Sequence, residues 1–120
     1  MPTPFLVALG GALGALARWG VAEGAARWLG AGAPWGTWAA NVAGCFLVGI
    51  ALPALAAQDP RRAFAVVGFL GAFTTFSTYS AETILLWESG KAGLALANAV
   101  GSVVAGLVAC GLGLAIGRAL

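Results

Sequence analysis

The run Thr74-Thr75-Phe76-Ser77-Thr78-Tyr79-Ser80 gathers five serine and threonine hydroxyls and one phenol in the middle of an otherwise apolar segment. Buried in hydrocarbon without a partner, a hydroxyl costs on the order of 2 kcal/mol or more, so this cluster reads as the lining of a polar path or of a binding site. Elsewhere, Asn41 follows Thr37 by about one helical turn and shares a face with it, while Asn98 and Ser102 occupy one face of a later segment. Amides and hydroxyls donate to an anion or accept around a cation, so residue type alone leaves the sign of the ligand open. Phe76 and Tyr79, three residues apart, offer ring edges of partial positive charge near one helical face, beside the ordinary packing role of aromatics.

The elements that must position these groups follow from composition. Of the 120 residues 61% are hydrophobic and 8% charged, and the mean hydropathy is +0.95, which excludes a soluble domain of this size. Apolar runs cover 5–22, 35–57, 64–87 and 92–116, each near or above the roughly 18–20 residues that a spanning helix needs. The expectation is an all-α membrane protein: one transmembrane domain over 1–120, with four helices and no domain outside the bilayer. Charges fall in the expected connections: Glu23 and Arg27, then Asp59, Arg61 and Arg62, then Glu88 and Lys91. Trp19, Trp35, Trp38 and Trp87 lie near span ends, as interfacial anchors do. The first segment lacks a basic leader and a polar-bounded cleavage site, and reads as a retained helix.

In the third span, Gly68 and Gly71 precede the hydroxyl run and weaken an uninterrupted helix at membrane depth. A break there frees main-chain carbonyls, which a bound cation would satisfy. The alternative is that each hydroxyl bonds back to the carbonyl one turn earlier and leaves the helix intact.

No charge lies near the centre of the second or fourth span, Glu82 sits toward the end of the third, Arg18 near the end of the first, and the chain has no histidine. That pattern disfavours a proton-coupled pump and favours passive conduction. Arg18 would line an aqueous entrance or snorkel to the lipid interface. The rival classes are a small exporter of organic cations, which needs a deep coupling carboxylate, and a purely structural subunit, which leaves the hydroxyl cluster unexplained. Cys45 and Cys110 read as buried packing thiols. The net charge of +2 is too small and dispersed for a nucleic-acid partner.

Orientation is nearly undetermined by charge. Arg61, Arg62 and Arg118 share one side, against Arg27 and Lys91 on the other, joined by Arg18 if it snorkels outward, a bias of one charge or none. Such balance permits insertion in both orientations, and hence an antiparallel homodimer. Among 19 glycines, Gly10-x-x-x-Gly14 and Gly113-x-x-x-Gly117 have the spacing of close helix contacts.

The stretch Gly68-Phe-Leu-Gly-Ala-Phe-Thr-Thr-Phe-Ser-Thr-Tyr-Ser-Ala-Glu82 closely resembles the signature of the Fluc (CrcB) family of fluoride channels. Gly36-Thr-Trp-Ala-Ala-Asn-Val-Ala-Gly44 resembles the second-span motif of that family, and Gly10-Gly-Ala-Leu-Gly-Ala-Leu-Ala-Arg18 its N-terminal pattern. The resemblance implies a fluoride-selective passive channel in a bacterial inner membrane, built as a dual-topology antiparallel homodimer with two pores and a broken third helix. It carries pore-lining roles to Phe76, Ser77, Thr78 and Asn41, with Thr37 nearby and Ser102 by spacing. Tyr79 stands where the family has its second pore phenylalanine. The resemblance further implies a central structural sodium ion (Na+), held by main-chain carbonyls at Gly71 and Thr74. Arg18 and Glu82 match charged positions with entrance or structural roles. Fluoride is small and strongly hydrated, so a narrow pore must replace its water with oriented donors that also release it.

Overall fold

The structure, a computed structural model, describes residues 1–120 and contains helices only. Helix α1 is Thr3–Leu29 and α2 is Trp35–Ala54. The third span opens with a short α3, Pro60–Arg62, passes through a π-helical stretch, Ala63–Leu70, and continues as α4, Gly71–Phe73, and α5, Phe76–Glu88. Helix α6 is Ala92–Ala119. Taken as Thr3–Leu29, Trp35–Ala54, Pro60–Glu88 and Ala92–Ala119, the four spans are long and apolar enough to cross a membrane.

The helices run past the apolar spans. Helix α1 continues from 22 to Leu29, so Glu23 and Arg27 lie on its last turns rather than in a connection. They stand at the i, i+4 spacing that suits a solvated helix face, and Arg27 complements the negative end of the helix. Termination is left to Gly30, whose φ of 79° is open to glycine and whose N–H donates to the Ala26 carbonyl. Arg61, Arg62 and Glu88 are likewise helical. Asp59 caps α3 by accepting from the Arg61 N–H at 2.8 Å and pairs with the Arg61 guanidinium at 2.7 Å. Those hydrogen bonds from Arg61 hold the Asp59 carboxyl below its ordinary range. Conversely α2 ends at Ala54 instead of 57, one residue after Pro53.

Packing is by backbone approach more than by large side chains. Ala40, Leu70, Phe73 and Ala95 are the only buried apolar residues apart from glycines, whereas Leu107 and Val100 are 70% and 62% exposed. An apolar exterior of this kind belongs against lipid or another apolar surface. Inside, α1 lies on the π-helical stretch through Gly10, Gly14 and Gly68; a Cβ at Gly68 would stand 2.7 Å from the Val7 carbonyl oxygen. Helix α2 lies along α6 through Gly49, Gly113 and Gly117, and a Cβ at Gly49 would stand 2.9 Å from the Leu114 nitrogen. Both small-xxx-small pairs therefore sit in helix contacts.

Candidate functional site

The site is organised by two residues of extended backbone. Thr74 has ψ 155° and Thr75 has φ −150° and ψ 118°, between the end of α4 and the start of α5. The Leu70 carbonyl closes the first side by accepting both the Thr74 N–H at 3.1 Å and the Thr74 hydroxyl at 3.0 Å. On the second side the Thr75 hydroxyl caps α5, accepting the Thr78 N–H at 3.2 Å and lying 3.1 Å from the Thr78 hydroxyl. Thr75 favours that role because its short side-chain oxygen reaches the third N–H of the new helix.

Asn41 supplies what the interrupted backbone lacks. From α2, its Nδ2 donates to the Thr75 carbonyl at 3.0 Å and its Oδ1 accepts the Thr75 N–H at 2.7 Å. One side-chain amide thus stands in for a neighbouring peptide group. The guanidinium of Arg18, in α1, does the same for the end of α4: its Nε donates to the Ala72 carbonyl at 3.0 Å. Arg18 is half-buried there, held by this one bond to the main chain of the third span.

A cavity of about 390 Å³ opens beside this junction, with Asn41, Thr74, Phe76, Tyr79 and Ser102 in its wall, together with Cys45. The Phe76 and Tyr79 rings lie 5.6 Å apart at 39°. The Tyr79 hydroxyl donates to the Ala99 carbonyl of α6 at 2.6 Å. Ser102 donates to Asn98 Oδ1 at 3.1 Å, Asn98 Nδ2 to the Thr83 hydroxyl at 2.8 Å, and Thr83 to the Tyr79 carbonyl at 2.7 Å. A continuous polar relay therefore runs from the cavity wall on α6 back to α5. No acidic or basic side chain lines this cavity.

Thr37 and Glu82 belong to a different place. They meet at 2.7 Å, the Thr37 hydroxyl donating to Glu82 Oε1, in a second cleft of about 390 Å³ that also holds Lys91. Glu82 Oε2 is buried there with no hydrogen-bond partner within the chain. Of the other residues expected in a pore, Thr78 turns onto the Thr75 cap and Ser77 is exposed; neither lines the inner cavity. Gly71 does line it, exposed at the start of α4.

Two kinds of group escape a reading by residue type. Thr75, Ala72 and Ala99 act through main-chain atoms, whose role no side chain announces. Cys45, expected as a buried packing thiol, is partly exposed and lines the cavity, its sulfur lying 3.2 Å from where a Cβ on Gly106 of α6 would stand. Thr83 carries a legible signal, since it lies four residues after Tyr79 on the same helical face.

A family model described as "CrcB-like protein, Camphor Resistance (CrcB)" matches residues 5–114. A protein of Thermus thermophilus named fluoride-specific ion channel FluC is 47% identical over 118 residues, covering 96% of this chain and 93% of that one. Those of Magnetococcus marinus and Rhizobium etli are each 44% identical, over 93% and 97% of this chain and 94% and 96% of their own lengths. Four helices able to span a membrane, together with such relatives, make this a multi-pass membrane protein. A match along nearly its whole length shows that the chain belongs to the CrcB-like protein family.

Proposed function

We propose that this protein is a fluoride-selective passive channel of the bacterial cytoplasmic membrane, lowering the fluoride burden of the cell, and not an enzyme. The observation that carries the reading is the inner cavity, where Asn41, Phe76, Tyr79 and Ser102 converge on the interrupted third span without a charged side chain. The relatives named as fluoride-specific channels supply the ion. Asn41 Nδ2 carries two hydrogens and gives one to Thr75, which leaves a second for an anion. A neutral donor and ring edges replace part of the hydration shell yet release the ion, as conduction demands. Glu82 lies in the other cleft with Thr37, away from this cavity, which weighs against a carboxylate-coupled exporter.

The assembly proposed is an antiparallel, dual-topology homodimer embedded in lipid, with two pores. Its support is the near-balanced Lys/Arg distribution and the exposure of Gly71 and of Phe76, the latter 79% exposed in the single chain. A structural sodium ion at Gly71 and Thr74 fits the chemistry of the junction. In a continuous helix the Thr75 N–H would close onto the Gly71 carbonyl and the Thr78 N–H onto the Thr74 carbonyl. Here they are given to Asn41 and to the Thr75 hydroxyl instead. Two hard oxygen acceptors are thereby released, of the kind that sodium prefers. When bound, the ion would supply the positive charge that those carbonyls lack, and Asn41 and Thr75 are the residues that keep them available.

Expression in a fluoride-sensitised bacterium tests the function. Growth at a fluoride concentration that arrests the parent supports it, and unchanged sensitivity with the protein present in the membrane contradicts it.

A further inference from the structure

Helix α5 is tied to its neighbours by three side chains: Glu82 to Thr37 of α2, Thr83 to Asn98 of α6, and Tyr79 to the Ala99 carbonyl of α6. The Tyr79 bond, at 2.6 Å, is the one made by a residue of the inner cavity wall. A phenol has one hydrogen to give. In partly buried surroundings a main-chain carbonyl competes strongly for it, because withdrawing the donor leaves the hydroxyl and a carbonyl lone pair short of partners. The ring is held at its far end by this bond and along its side by Phe76, at 5.6 Å.

We propose that the Tyr79 hydroxyl is a clamp between α5 and α6 that fixes the ring beside Phe76, so that an ion in the cavity meets the ring edge and not the hydroxyl. Tyr79 is then a positioning residue, and its polar atom is withdrawn from the conduction path. What the ion meets rests on the channel reading; the clamp itself does not.

Tyr79 is the only tyrosine in the chain, so tyrosine enriched with a heavy isotope at Cζ gives a single magnetic-resonance signal. In protein reconstituted in lipid, the expected signal is that of a hydrogen-bonded phenol, unchanged when saturating fluoride replaces chloride. A fluoride-dependent shift would show the hydroxyl meeting the ion and overturn the proposal. The Tyr79→Phe variant, which keeps the ring and removes the clamp, is expected to unfold at lower denaturant, its folding equilibrium reduced about twofold to tenfold, what one hydrogen bond is worth. A Tyr79→Phe protein that unfolds at the same denaturant concentration as wild type likewise overturns the proposal. Should the wild type pass no fluoride, the channel reading fails alone; the clamp is still decided, since the signal of a water-exposed phenol refutes it.

Discussion

The side-chain amide of Asn41 is paired at both of its polar atoms with one residue, Thr75, giving a hydrogen bond at 3.0 Å and taking one at 2.7 Å. The backbone of the third span is extended at Thr75, so its N–H and C=O lack the partners a helix would provide. Asn41 is therefore both a wall of the cavity and the support of its floor. Replacement by alanine strands two partly buried main-chain groups, at about 1–3 kcal/mol each. Asn41→Ala is expected to lower the denaturation midpoint measured in detergent and to abolish fluoride flux. A variant as stable as wild type would contradict the pairing.

Thr37 and Glu82 make a contrasting pair, because the acceptor is a carboxyl whose second oxygen is already buried without a partner. Thr37→Val removes the single donor and leaves both oxygens unsatisfied, at a cost of about 1–3 kcal/mol. Glu82→Gln keeps an acceptor for Thr37 and adds a donor. Thermal unfolding should rank the valine variant as clearly the less stable of the two. The reverse order would mean that the carboxyl, and not the hydroxyl bonded to it, holds this cleft together.

Two glycines of α6 separate packing from propensity. Gly113 lies against α2, where an added Cβ would be 3.1 Å from the Gly49 Cα, whereas Gly111 has open space around it. Gly113→Ala should push α2 and α6 apart and cost about 1–3 kcal/mol. Gly111→Ala should be neutral or raise stability by up to about 1 kcal/mol through helix propensity. Parallel denaturation of the two variants checks this, and equal effects would show that the glycine contact does not hold α2 to α6.

The four spans and the polar junction in the third are legible in the sequence because a bilayer imposes length and apolarity, and because a run of hydroxyls stands out against an apolar segment. Asn41, Phe76, Tyr79 and Ser102, singled out by type and resemblance, do share one cavity. Periodicity puts Thr37 and Asn41 on one face of α2, and both do reach the third span, but one turn apart they meet different parts of it: Asn41 meets Thr75 at the junction and Thr37 meets Glu82 further along α5. Arg18 stands out by its charge, yet it acts through one donor on a main-chain oxygen 54 positions away. Partners of that kind depend on tertiary approach, here set by glycines whose spacing alone carries little information.

Phe76 tests how the cavity discriminates. If ring bulk sets its width, Phe76→Ala should admit chloride while fluoride still passes, read as a fall in the ratio of the two efflux rates. A variant that conducts fluoride and remains closed to chloride would place selectivity in the donors around Asn41 rather than in cavity width.

The most direct measurement is ion efflux from liposomes containing the purified protein, with a potassium ionophore clamping the voltage and equal pH on both sides. Fluoride, followed by electrode, should leave rapidly while chloride in parallel vesicles stays. The absence of fluoride efflux from folded protein, or release that requires a proton gradient, would contradict a passive fluoride channel.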